Sequence, residues 1–309
     1  MSNFKFFEDN KASVQPVEQT YTEISDSQGN SITESARYRV EQLTVSKMNG
    51  VVQSHAETKR QFFVTRKKEQ GKWMVTVEME DNIVSVYPES LQETINLLID
   101  LDNVKSKTHV VVNPLTGKID HILNHHEIIA NWKEYRAAME DKYSSFNSAE
   151  AKLNVLKFLT VAENIITIEN NLIDDLNTKM FYDLFFDQYL VKDQIDKEDV
   201  KRPFYSQLFE GESSILNSTK KITNETQDQV QYLCESVLIN PDAERFSKLY
   251  DEKYKPLIHY KFSQYDAKID EHILLNKTGK WIEQADVSIV EEVKNNIEIV
   301  VDYKLRKIE

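Results

Sequence analysis

The segment DHILNHHE at 120–127 gathers the side chains best suited to chemistry: Asp120, His121, His125, His126 and Glu127. His121 and His125 are spaced i, i+4, as two zinc ligands on one helix would be, and Glu127 could then serve as the base of a metal-dependent hydrolase. The local capping pattern points elsewhere. Asn124 and Glu127 have the spacing of a capping box, and Leu123 with Ile128 that of a hydrophobic staple, so a helix should start after Asn124. His121 then precedes the helix in extended chain. His125 and His126 fall in the first turn, where the positive helix end disfavours protonation. No cysteine is near and no H-E-x-x-H is present, so a strand-to-helix junction is the better reading and neither metal nor cofactor is expected.

Other reactive constellations find less support. The single cysteine, Cys234, sits in VQYLCESVLI, a strand-like apolar setting in which a buried, inert thiol is expected. No serine occupies a G-x-S-x-G elbow. The six glycines all stand alone, with no G-x-G-x-x-G and no G-x-x-x-x-G-K-[ST], so the two common phosphate cradles are missing. Glu78, Glu80 and Asp81 alternate at a strand end and could line a cleft, although among 51 Asp and Glu, exposed charge is the ordinary explanation. No catalytic residue is assigned.

The most unusual composition lies in TKMFYDLFFDQYLV. On a helix over 178–191, Phe181, Phe185 and Tyr189 form one stripe, with Tyr182 and Phe186 beside it. Aromatic stripes usually pack as core. One helix nevertheless seldom buries five rings entirely within its own lobe, which makes these residues the candidate partner surface or the wall of an apolar cleft.

Composition narrows the classes of function. The chain has 309 residues, 40% of them hydrophobic, with 14 Phe and 14 Tyr that call for a folded core. Its formal charge of −13 runs against the clustered Lys and Arg that a nucleic-acid surface needs, so no nucleic acid is expected. There is no apolar run of the length a signal peptide or a membrane span requires, and one cysteine cannot form an internal disulfide. A cytoplasmic location is expected.

The elements that position these residues follow from period and turn chemistry. Residues 1–16 read as a loose arm on which Phe4, Phe6 and Phe7 could dock. In KWMVTVEM, Trp73, Val75, Val77 and Met79 share one face of a strand. Asn49-Gly50 and Gln70-Gly71 separate long strands as hairpin turns, and a β-bulge is expected near Glu41 and Gln42. One helix should follow Ser90, capped with Glu93 and carrying Leu91, Ile95 and Leu98. Ile128, Trp132, Tyr135, Met139 and Tyr143 mark one face of a second, and a third should begin near Asn147-Ser148 and carry Leu156, Leu159, Ile165 and Ile166. The polar run at 192–199 reads as a linker. Asn240-Pro241-Asp242 should open a short helix, and the final residues alternate as a meander with Asn295-Asn296 at a turn. HVVVNPLTGKI and HILLNKTGKWI echo each other as two hairpins whose glycines, Gly117 and Gly279, should both take positive φ.

The expected fold is therefore α+β: an antiparallel β lobe at 1–122, a helical block at 123–200 and a second antiparallel β lobe at 201–309, with or without a shared core. The expected function is a non-catalytic adaptor or scaffold that holds protein partners in a cytoplasmic assembly. The alternatives are a carrier of a small apolar ligand between sheet and helices, and a cryptic hydrolase.

Overall fold

The computed structural model describes residues 33–69, 71–144, 149–192 and 199–309. The expected arm at 1–16, residues 147 and 148 at the expected helix start, and most of the run at 192–199 lie outside these. The rest is a mixed α and β protein organised by a single antiparallel sheet.

Eleven strands make up that sheet: β1 (Thr33–Met48), β2 (Val51–Glu69), β3 (Lys72–Tyr87), β4 (Lys107–Val112), β5 (Ile119–Ile122), β6 (Val200–Tyr205), β7 (Ser213–Glu225), β8 (Gln229–Ile239), β9 (Tyr265–Asn276), β10 (Trp281–Val293) and β11 (Ile297–Lys307). Their order is β5-β4-β3-β2-β1-β11-β10-β9-β8-β7-β6. From β1 at the centre of the sheet the chain walks out to one edge. It then crosses through helices to the far edge and walks back to finish beside its starting strand. Strands from both ends of the chain thus belong to one sheet, joined where β1 pairs with β11, Val40 opposite Leu305 and Thr44 opposite Val301.

Period two sets the faces as the sequence predicts. Val75 and Val77 are fully buried, with Trp73 and Met79 packed beside them, and Ala285, Val287 and Ile289 alternate inward on β10. Asn49 and Gly50 both take positive φ, the geometry of a tight hairpin turn. The bulge occurs elsewhere than expected: β1 and β2 keep register through Glu41 and Gln42 and shift between Ser46 and Lys47. Leu43 and Val45 stay on the opposite face from Val40, half-buried. Of the two echoing hairpins, Gly117 has φ +76°, whereas at the second turn Lys280 takes the positive φ and Gly279 does not. What the two turns share is their asparagine. Asn113 Oδ1 accepts from the Leu115 and Thr116 N–H groups, and Asn276 Oδ1 accepts from Gly279 N–H.

The helix α1 (Gln92–Val104) lies between β3 and β4. The crossing consists of α2 (His125–Ser144), α3 (Ala149–Thr167), α4 (Glu169–Thr178) and α5 (Met180–Phe185); α6 (Ala243–Lys253) and α7 (Lys255–Ile258) interrupt the return. On α1 the packed stripe is Leu97, Leu101 and Val104, while Leu91 and Leu98 face solvent. α2 buries Ile128, Trp132 and Met139 as its spacing requires. It starts after Asn124, but not through the expected box. Asn124 Oδ1 accepts from His109 N–H and its amide donates to Lys107 O, so the side chain ties the helix start to β4. The N-cap of α6 is Asp242, which accepts from Arg245 N–H, two residues beyond the Asn240 expected from sequence. No helix among the described residues is long and apolar enough to cross a membrane.

The inward faces of the strands pack on the helices. One buried cluster contains Tyr38, Val40, Phe62, Val301 and Leu305 from the sheet with Leu172, Leu176, Phe181 and Phe185 from α4 and α5. A smaller cluster, with Phe209, Phe246, Tyr250, Tyr254 and Tyr265, seats α6. Buried Glu291 organises the loop beside it, accepting from the Gln207 and Leu208 N–H groups, the Tyr265 hydroxyl and the Ser206 hydroxyl. Arg66, also buried, lies 3.8 Å from the Trp281 ring centre and donates to Lys280 O, which pins the β9–β10 turn against β2.

Candidate ligand-binding cavity

The five rings singled out by the sequence are all buried. The expected continuous helix is broken: α5 ends at Phe185, and Tyr189 belongs to a separate turn of 3₁₀ helix, Gln188–Leu190. Phe181 stacks on Phe62 at 4.0 Å and also touches Phe185 and Tyr38. Phe186 stacks on Tyr182, whose hydroxyl meets Thr108 Oγ1 at 2.9 Å. The Tyr189 hydroxyl donates to Phe185 O. No ring of the stripe faces outward in this chain, because the broken helix lets rings leave it in several directions and all of them meet sheet or helix. Two of the five, Phe181 and Tyr182, do wall a cleft.

That cleft is a cavity of about 740 Å³ between the inward face of the sheet and the α4–α5 segment, within the usual range for small-molecule sites. Strand register lays out its floor. Lys220, Cys234, Glu271, Val287, Tyr303 and Gln42 follow one another across β7, β8, β9, β10, β11 and β1 as directly opposed residues, and all but Val287 line the cavity. The next row contributes Ser218, Ile269, Ile289 and Val301. Leu176, Met180, Phe181 and Leu184 form the roof.

Charges enter the cavity from both layers and neutralise one another. Arg202 on edge strand β6 donates to Glu271 at 2.9 Å and to Ser236 Oγ at 2.8 Å, and Ser236 meets Ser218 Oγ at 2.7 Å. Lys220 reaches up to Asp187 at 2.7 Å, and Lys118 bonds Asp183 at 2.8 Å. Burial alone would raise the Asp187 carboxyl, but the Lys220 and Lys118 charges hold it below the usual carboxylate range. At the other end Arg60 donates to Asn82 and Asp102, and Lys105 pairs with Asp175.

Burial and the neighbouring Glu271 charge push the Cys234 thiol up to about 12, so it stays protonated and poorly nucleophilic near neutral pH. The carboxylates of Glu271, Asp183, Asp187 and Asp102 are engaged by cations. Three lining residues keep a buried polar atom with no hydrogen-bond partner among the described residues: Asn177 Oδ1, Arg202 Nε and the hydroxyl of Tyr303, a residue 2% exposed.

The histidines do not converge. His121 stands exposed on β5, His126 is exposed on α2, and His125 turns its Nε2 to Ile166 O at 2.7 Å. Among the described residues no three His, Cys, Asp or Glu side chains come together as a metal set. The sequence did contain a signal for the cavity. Glu271 is a charged residue at an inward position of β9, whose other inward positions, Tyr265, Ala267, Ile269, Ile273 and Leu275, are apolar or aromatic, and Lys220 and Arg202 likewise stand at inward positions of their strands. No protein-family model matches the chain, and no curated protein matches it.

Proposed function

We propose that this chain is a non-catalytic binding protein that holds a small, mainly apolar molecule between its sheet and the α4–α5 segment. One observation carries this reading: a cavity of about 740 Å³ floored in part by Val301, Ile289 and Ile269 and lined by Tyr303, whose buried hydroxyl has no hydrogen-bond partner among the described residues. A group left without a partner in an apolar setting costs free energy that a bound molecule can restore. The Lys118–Asp183 and Lys220–Asp187 pairs fasten the roof to the sheet and the β4–β5 turn, as a preformed site requires.

Native mass spectrometry of the full chain purified from its own host tests this. The expected result is a co-purified small mass, absent from Ile289→Trp, whose larger side chain fills the floor. Bare protein in both preparations would sink the reading.

A second reading, the adaptor or scaffold that holds protein partners, draws on α3. Leu153, Leu156 and Val161 are 52%, 51% and 61% exposed there, an unusual amount of apolar surface for one helix. Substituting Leu156 and Val161 by Asp should release any such partner without lowering the melting temperature; a partner retained by the double variant counts against this surface.

A further inference from the structure

The ligand-binding reading leaves open what chemistry the occupant carries, and the polar groups of the cavity narrow it. The charges around Arg202 and Lys220 already pair with Glu271, Asp183 and Asp187, three carboxylates for the three cations Arg202, Lys220 and Lys118. That end has no net charge to offer, although Arg202 Nε lacks a hydrogen-bond partner among the described residues. Tyr303 differs. Arg60 stands opposite Val40 while Tyr303 stands opposite Gln42, the next inward residue on the same strand, and both line the cavity. Burial raises the Tyr303 hydroxyl well above the ordinary range, and the Arg60 charge opposes that shift. Gln42 donates its own amide to Thr44. Arg60 commits Nε to Asn82 and Nη2 to Asp102, the latter at a long 3.3 Å.

The shape is elongated. Lining residues run from Met79 on β3 to Arg202 on β6, eight strand spacings or roughly 38 Å, whereas a cube of the same volume would be only about 9 Å on a side. Beside Tyr303 the floor is aliphatic: Val301, Ile289 and Ile269 on three successive strands.

We propose that the cavity takes an apolar chain ending in a carboxylate, with the carboxylate at the Tyr303 hydroxyl and the Arg60 guanidinium and the chain along Val301, Ile289 and Ile269. This rests on the ligand-binding reading above. A carboxylate is acceptor-only, so it suits a hydroxyl donor and a guanidinium edge together, and charge-assisted bonds of this kind are the strong ones. An alcohol of the same length satisfies the hydroxyl but gains little from the arginine.

Fluorescence titration of the full chain with dansyl-labelled undecanoic acid tests this, with decanoic acid and decanol as competitors and neutral aminoanthracene as a second probe. Decanoic acid should compete at least about tenfold better than decanol, and Tyr303→Phe should weaken the dansyl acid about tenfold while leaving aminoanthracene and the melting temperature unchanged. Arg60→Gln should weaken the acid alone in the same way. If acid and alcohol compete equally, or Tyr303→Phe leaves the acid untouched while aminoanthracene binds and Ile289→Trp excludes it, the carboxylate assignment falls and the cavity reading survives. If neither probe binds wild-type protein, both fall.

Discussion

The backbone carbonyl of Asp187 stands where a Cβ on Gly117 would have to be. Gly117 also has φ +76° and lies in the β4–β5 turn, so glycine answers two demands at once: a left-handed conformation and a close backbone approach. The contact sets the loop after α5 against the edge of the sheet. From there Asp187 reaches Lys220 on the cavity floor.

Three glycine substitutions separate the two demands. Gly50→Ala meets only the φ cost, since nothing lies within 4 Å of its Cβ, and should destabilise by about 1 kcal/mol. Gly117→Ala adds the collision with Asp187 and should cost about 3 kcal/mol or more. Gly279→Ala carries no φ strain and meets only the Trp281 and Asn276 side chains, so about 1 kcal/mol is expected. Urea melts of the three measure the order; equal losses at Gly50 and Gly117 would mean that the loop moves away freely.

Acid should loosen the roof through Asp187. Its carboxyl is held below the usual range in the folded protein, so the stabilisation is present above the unfolded value near 4 and is lost as pH falls through the lower folded value. Asp187→Asn should flatten that part of the stability profile. Unfolding curves collected across the acidic range check this, and a slope unchanged in the variant would remove Asp187 from the account.

Each of the five aromatic residues should behave as core. Phe185→Ala and Phe186→Ala, both fully buried, should cost about 3–5 kcal/mol. Tyr182→Phe loses only the bond to Thr108, roughly 1 kcal/mol. Thermal melts of the set decide it; a variant with native stability and selective loss of a bound protein would return that ring to the surface.

The Cys234 thiol should resist iodoacetamide at pH 8 in the native state and react fully in denaturant, because it is buried and pushed up to about 12. Mass spectrometry of the alkylated chain reads this directly. Rapid native labelling would place the thiol on a solvent path and reopen the question of its reactivity.

The sequence by itself determined the local geometry. Alternation placed Val75, Val77, Val287 and Ile289 on inward faces, Asn49-Gly50 set a hairpin, and the spacing of Ile128, Trp132 and Met139 oriented α2, because each depends only on residues a few positions apart. Tertiary structure decided the rest. Val40 meets Leu305 across the two ends of the chain, and that pairing merges two runs of strands into one sheet. Asn124 gave its side chain to β4 instead of its own helix because His109 N–H was within reach. The cavity is likewise a product of register, since Tyr303, Glu271, Cys234 and Lys220 fall in one row only when five strands, β7 to β11, align. A period of two tells each of these residues which face to take, but which strand lies beside it is fixed by long-range packing, which no local spacing encodes.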